Sequence, residues 1–504
     1  MRGCAGARVR GALVRKCVGF FIALLAGLVA IPAAQVPVTA IVGATPIDGN
    51  GGAPIRDAAI VISGDRITAV GPRASVTIPA GATRVDAAGQ WITPGFIDTN
   101  VHLSLYGGQN ERYETMVRYQ PRFDDIVIEA AQIDLSYGIT TVRDSYGALV
   151  PLVHGRDAIN SGKKVGARIL AAGNILGWSG PYSFSFSRVM TPLTPFQEQM
   201  NDFIAQGGGE ELMNMTPEEI GVAINAYIDR GADFLKYGGT SHFSEPTFVG
   251  FTLAAQKAIV DAGHRRGMFV ETHSTSIEGL RESLIAGIDG IQHPEILDGR
   301  ALPDDILSTI RAKEIICSML VSTITGPAWE RHAKTRDEAL KKIADADKAA
   351  KAPRQKTTAE KRKDAADTGE DLEWRRKNAI ALIKAGAIVT PGTDSYWAAA
   401  PELTRTPKVP DQDHGTGTIM AIEGFVELGL TPLQALTAGT KNGAIAARRL
   451  KDLGTLEIGK LADFVLLSAD PSADIHNIRK VGSVYKDGKL VDRAKLPEQK
   501  VLSR

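Results

Sequence analysis

The sequence predicts an α/β fold: a (β/α)8 TIM-like barrel joined to a small β-sandwich domain that draws strands from both ends of the chain. Three observations carry this reading. Eight short apolar runs alternate with helical stretches through the middle of the chain, β-rich segments punctuated by turns occupy its flanks, and residues able to hold a metal or move a proton fall at the ends of the apolar runs.

The 504 residues suffice for one large and one small domain, and 44% hydrophobic with 23% charged residues is an ordinary globular composition, which excludes a disordered chain. Residues 1–34 differ in kind. Arg2, Arg8, Arg10, Arg15 and Lys16 precede an apolar run from Val18 to Ile31, then Pro32, Ala33 and Ala34. This is the layout of a cleaved signal peptide, which predicts a secreted or periplasmic protein. An uncleaved anchor is the alternative, although the run is short for the roughly 20 residues a spanning helix needs. Loss of that basic segment leaves a mildly acidic chain, so nucleic acid is not an expected partner. Cys4 and Cys17 lie in the same segment, leaving Cys317 alone and no internal disulfide.

Residues 35–91 and 452–504 are predicted to form the small β domain. Val38–Val42, Ala58–Ser63, Arg66–Val70 and Thr83–Val85 read as strands on one side, and Gly454–Leu456, Ala462–Leu467 and Val481–Lys489 on the other. Between them, residues 92–451 supply the barrel strands Phe96–Val101, Thr140–Arg143, Arg168–Ala171, Phe234–Lys236, Met268–Glu271, Gly290–Gln292, Ile315–Leu320 and Ala387–Thr390. A doubly wound open sheet is the competing pattern. Two stretches fall outside the repeat. Gly177 to Gly209, with Trp178, Tyr182, Phe184 and Phe186, reads as a lid or substrate loop. The charged segment 329–377 reads as one or two solvated helices over the barrel mouth or between subunits.

Of the nine histidines, His102, His273 and His293 end predicted strands, as do Lys236 and Asp394. His154, His264, His332 and His476 read as surface residues. Imidazole and carboxylate suit a borderline divalent ion such as zinc, which points to a metal hydrolase. Each histidine alone could equally be a hydrogen-bonded core residue.

The motifs Pro94-Gly-Phe-Ile-Asp-Thr-Asn-Val-His102, Asp233-Phe-Leu-Lys236, Glu271-Thr-His273, Gly290-Ile-Gln-His293 and Thr390-Pro-Gly-Thr-Asp394, in this order, resemble the amidohydrolase superfamily. The resemblance runs from about Val36 to about Leu490 and is nearest to the imidazolonepropionase-like and Xaa-Pro dipeptidase (prolidase) branch, which includes ochratoxin hydrolases. It implies one or two Zn2+ ions held by His102, Lys236 as N6-carboxylysine, His273, His293 and Asp394. It further implies that Asp394 takes a proton from a metal-activated water and returns it to the departing amine.

The substrate so implied is a dipeptide or N-acyl amino acid. A cyclic amide or other C–N bond, or a metal-impaired non-catalytic homologue, are the alternatives. A homo-oligomer, such as an octamer, is also implied. Tyr237 and His242 are candidates for binding the substrate, with loop packing the alternative. Arg143 could pair with its carboxylate or form an ion pair with Asp144 or a neighbour. Two departures stand out. Ser179-Gly180-Pro181-Tyr182 replaces a Gly-Gly-His-Gly run, which makes Tyr182 a candidate substitute. Asn100 stands where a histidine is usual, and its neutral amide predicts a weak metal position beside the first strand.

Overall fold

The computed structural model describes residues 36–106, 109–242, 247–297, 299–349, 356–398, 400–404 and 408–503. The predicted signal segment, with Cys4 and Cys17, lies outside them. Among the described residues no helix is long and apolar enough to cross a membrane.

Eight barrel strands form at Phe96–Tyr106, Ile139–Asp144, Arg168–Ala171, Leu235–Gly238, Val270–His273, Gly290–Gln292, Ile316–Met319 and Ile388–Pro391. They fall into two parallel arcs. The fourth to eighth strands pair in sequence, and the first three pair with one another and with a short extra strand, Ser395–Trp397. Backbone bonds close the circle where strand ladders do not. Leu176 N donates to Lys236 O at 2.9 Å between the third and fourth strands, and Asp394 N donates to Asn100 O at 2.9 Å between the eighth and first. Closure gathers side chains distant in sequence at one rim.

The helices between the strands are set by local signals. Thr216-Pro217-Glu218-Glu219 starts the helix Pro217–Ile228 with a reciprocal capping box and a proline at its first position. Such a cap contributes about 1 kcal/mol. Ile220 and Ile224 on this helix are buried, one turn apart on the face turned to the barrel. The charged insertion forms three helices, Gly326–Ala349, Thr358–Thr368 and Glu370–Lys384, instead of one or two.

The chain ends build one mixed sheet of eight strands. Trp91–Pro94 is its link, lying parallel to Val38–Pro46 on one side and antiparallel to Phe464–Leu467 on the other. Gly454–Leu456, expected as a strand, is irregular, with Leu456 N bonded to Asp48 O at 2.9 Å. Ile41, Ile60, Ile92, Phe464 and Leu466 form the apolar core of this sheet.

Candidate active site

The first barrel strand carries the foundation of the site. Alternation along a strand puts Asp98, Asn100 and His102 on one face, and all three are buried. Asp98 accepts hydrogen bonds from Thr418 Oγ1 at 2.7 Å, Thr393 Oγ1 at 2.8 Å and Asn100 N at 3.1 Å. Burial pushes its carboxyl up to about 7 against these hydrogen bonds. The contacts tie the first strand to the turn that presents Asp394. Asp394 and His293 both have positive φ, 51° and 53°, a conformation that costs a non-glycine residue on the order of 1 kcal/mol and recurs where function fixes the backbone.

Three side chains meet around one carboxylate oxygen. Asp394 Oδ1 lies 2.6 Å from Asn100 Nδ2, 2.9 Å from His102 Nε2 and 3.3 Å from His293 Nε2, and Asn100 Nδ2 also lies 3.2 Å from His293 Nε2. Burial works to raise the Asp394 carboxyl, but His293 and His102 hold it well below the usual carboxylate range. Burial pushes the His102 and His273 imidazoles down, His273 strongly, with His293, Lys236 and His242 adding to it. Lys236 is buried and its Nζ donates to Ser145 Oγ at 3.4 Å. Burial pushes its ammonium down against the pull of Asp394, Glu271 and Asp144, in the direction of the uncharged amine that a carbamate requires.

These residues fit a divalent cation. Tyr146 O accepts from His102 Nδ1 at 3.1 Å, which fixes that nitrogen as a donor; in the neutral ring that burial favours, Nε2 then carries the lone pair that could bind a cation beside Asp394 Oδ1, 2.9 Å away. His273 Nε2 is buried without a hydrogen-bond partner, and its ring centroid is 5.7 Å from that of His293. Among the described residues no three His, Cys, Asp or Glu side chains already stand as a finished ligand shell. The Asn100 amide contacts both His293 and Asp394.

Asn100, expected as a weak ligand, is engaged at both ends of its amide. Its oxygen, the atom that could bind a metal, accepts from Ser145 Oγ, while its nitrogen faces Asp394. An ionised carboxylate has no proton to donate, so the amide is oriented by chemistry.

Four other expectations meet different surroundings. Arg143 does not reach the mouth: its Nη2 pairs with Glu271 Oε2 at 2.9 Å, both side chains are 1% exposed, and its guanidinium lies 4.0 Å from the Phe234 ring centroid and 4.7 Å from that of Phe269. Its partner is thus Glu271, not Asp144. Tyr237 follows Lys236 and so points out of the barrel, where its hydroxyl donates to Gln256 Oε1 at 2.9 Å. Tyr182 is buried in the long loop, its amide donating to Asn201 Oδ1 at 2.9 Å. His332, expected at the surface, is buried against Trp329 and bonds Glu373 Oε1 at 3.2 Å.

His242 does stand at the mouth: it is exposed, with its ring 5.8 Å from His273 and 4.5 Å from Phe186. Trp178 packs edge-on to His273 at 4.9 Å. Gly238 makes room for it, since a Cβ there would lie 2.1 Å from the indole nitrogen. Tyr146 completes this wall, 6.0 Å from His102 and 5.1 Å from Phe186. Sequence reasoning missed Ser145 and Tyr146, although both lie just beyond the predicted strand Thr140–Arg143, at a strand end where barrels collect functional groups.

A family model described as Amidohydrolase family matches residues 91–491. The imidazolonepropionase of Alkaliphilus metalliredigens (strain QYMF) is 24% identical over 448 residues, 87% of this chain and 90% of that protein. Among solved structures, molinate hydrolase superposes with a TM-score of 0.79 at 28% identity, covering 93% of this chain and 97% of that one. Phenylurea hydrolase B gives 0.78 at 29%, covering 92% and 99%. Likeness of fold alone comes from A. niger ochratoxinase, with a TM-score of 0.66 at 22% identity over 90% of this chain and 96% of that one.

Proposed function

The chain belongs to the amidohydrolase family, and is thus a hydrolase acting on carbon–nitrogen bonds; from that premise we propose that it cleaves the amide of a dipeptide or N-acyl amino acid, with Asp394 as general base and then general acid. The single observation that carries the proposal is the convergence of His102, His293 and Asn100 on Asp394 Oδ1 beside the unpartnered His273 Nε2. His102, His273, His293, Asp394 and a carbamylated Lys236 would hold a divalent ion, zinc in this proposal, whose positive charge would make a water acidic near neutral pH.

The protein's own groups do the rest. Asp394 is ionised, so it can accept the proton of the attacking water and pass it to the departing amine. Asn100 and Ser145 keep Asp394 aimed, and Tyr146 O keeps His102 in one tautomer. Tyr146, Trp178 and Phe186 wall the mouth with apolar surface, which strengthens electrostatic effects inside it. His242 faces the entering substrate and can orient its carbonyl.

A second reading, favoured by the withdrawal of Arg143 to Glu271, is hydrolysis of a neutral aryl or alkyl amide that has no carboxylate to bind. Matched pairs of N-acyl amino acids and their decarboxylated amides separate the two: the first reading requires preference for the acids, the second for the neutral partners. Metal analysis of the same preparation completes the test, since neither bound metal nor turnover on any amide, cyclic ones included, would sink both readings. Export is supported by the basic-then-apolar leader and is tested by N-terminal sequencing of extracytoplasmic protein. A homo-oligomer, supported by family resemblance, is tested by light scattering.

A further inference from the structure

Two aromatic pairs flank the short helix Phe184–Ser187 beside the mouth. The inner layer is Phe186 with His242, whose ring lies 5.8 Å from His273. The outer one is Phe184 stacked on Phe248, with centroids 5.3 Å apart and planes 14° from parallel. Phe184 and Phe186 share the short helix Phe184–Ser187, and two helical residues project about 200° apart, so one ring turns inward as the other turns outward. Phe184 is 40% exposed, and so is Val249 beside Phe248, at 39%.

Hydrogen bonds hold the layers in register. His242 N donates to Ser185 O at 2.9 Å, and Ser241 N donates to Phe248 O at 2.9 Å, so adjacent residues of one loop secure both. Ser185 N donates to Glu210 Oε1 at 2.8 Å, anchoring the short helix from behind. Rings fixed in this way need little ordering on binding, which favours their use as a subsite.

We infer that Phe184 and Phe248 form an outer subsite that grips the distal apolar end of an extended acyl or aryl substituent on the amide, so that the enzyme selects substrates by length. The inference rests on the reading that this mouth admits an amide. Its occupant is a substrate arm and not a protein partner: two rings and a valine are far smaller than a stable protein interface, and the helix Phe184–Ser187 and the loop at Ser241–His242 tie them to the layer beside His273. An arm long enough to pass Phe186 leaves water for the Phe184–Phe248 faces, and shorter arms end inside the inner layer.

The test uses the metal-loaded enzyme with acetyl, hexanoyl and octanoyl p-nitroanilides, and with the matching N-phenyl alkanesulfonamides, which resist hydrolysis and report binding by calorimetry. From the shortest to the longest sulfonamide, Kd should tighten by about a hundredfold, and Phe184→Ala or Phe248→Ala should each remove about tenfold of that gain. With the anilides the same dependence should fall on KM and not on kcat. Val222→Ser, at a position 73% exposed on Pro217–Ile228, controls for general surface change and should keep the full gradient. A flat wild-type gradient, or one unaltered in both phenylalanine variants, overturns the inference. A gradient lost in those variants, with no anilide cleaved, supports the subsite and counts against the amide-hydrolase reading instead.

Discussion

Replacing Arg143 by methionine separates a structural arginine from a substrate-binding one. The Arg143–Glu271 pair spans 2.9 Å with both side chains 1% exposed, so solvent screens it little. Removing the guanidinium leaves the Glu271 charge buried. Gln292 Nε2, 2.6 Å from Glu271 Oε1, still stabilises that carboxylate, and methionine refills part of the volume against Phe234 and Phe269. The expected loss is therefore at the low end for breaking a buried pair, about 3 kcal/mol. Arg143→Met with Glu271→Gln removes both charges and should recover all but about 1 kcal/mol. Thermal and urea unfolding of the two variants measures this difference. Steady-state kinetics on carboxylate-bearing and neutral amides should show KM changed alike for both classes. An Arg143→Met protein of unaltered stability whose KM rises only for the carboxylate-bearing substrates would refute this reasoning.

Other consequences follow from the buried lysines and the asparagine. Lys236 should give a carbamate signal in carbon NMR with labelled bicarbonate, and Lys236→Met, isosteric in a site that is 1% exposed, should fold, lack the signal and retain less metal. Because Asn100 offers a neutral amide whose oxygen is engaged by Ser145, mild chelation should leave one tightly held metal, or two of clearly unequal affinity. Two equally retained zinc ions per chain would contradict this. Lys408 donates to the carbonyls of Tyr396 and Gln412, and burial lowers its ammonium to about 8. The unfolded chain therefore holds that proton longer, so stability relative to Lys408→Met should rise by up to about 3 kcal/mol between pH 8 and 10.5 and be lost as pH falls back through 8. Equilibrium unfolding across that range tests the sign, and a flat difference would remove Lys408 as its source.

Much of the fold was legible because its signals are local. The run Gly290–Gln292 is bounded by a glycine and by the histidine that ends the strand, and it forms where expected. The barrel's closure was less legible, because the bond from Asp394 N to Asn100 O joins residues almost 300 positions apart. Strand alternation already held the answer for Tyr237: if Lys236 faces the barrel interior, its neighbour cannot. Arg143 could not be resolved in this way. Parity turns it inward without saying toward which end of the barrel, and the positions of Phe234, Phe269 and Glu271 draw it into the core. His332 reads as a surface residue because it lies in a helical stretch away from the strand ends, yet Trp329 one turn earlier covers it. Asn100 was legible as a departure, but the hydroxyl that takes its oxygen belongs to Ser145 on the neighbouring strand's exit, and sequence order does not show such a contact.

The central claim is amide hydrolysis through Asp394, and its most direct measurement is amine release from a panel of N-acyl amino acids and neutral anilides by the metal-loaded enzyme and by Asp394→Asn in parallel. The account predicts turnover by the wild type and a loss on the order of a hundredfold or more in kcat for Asp394→Asn, the usual scale for removing a general base. Undiminished turnover in a folded Asp394→Asn enzyme would contradict it.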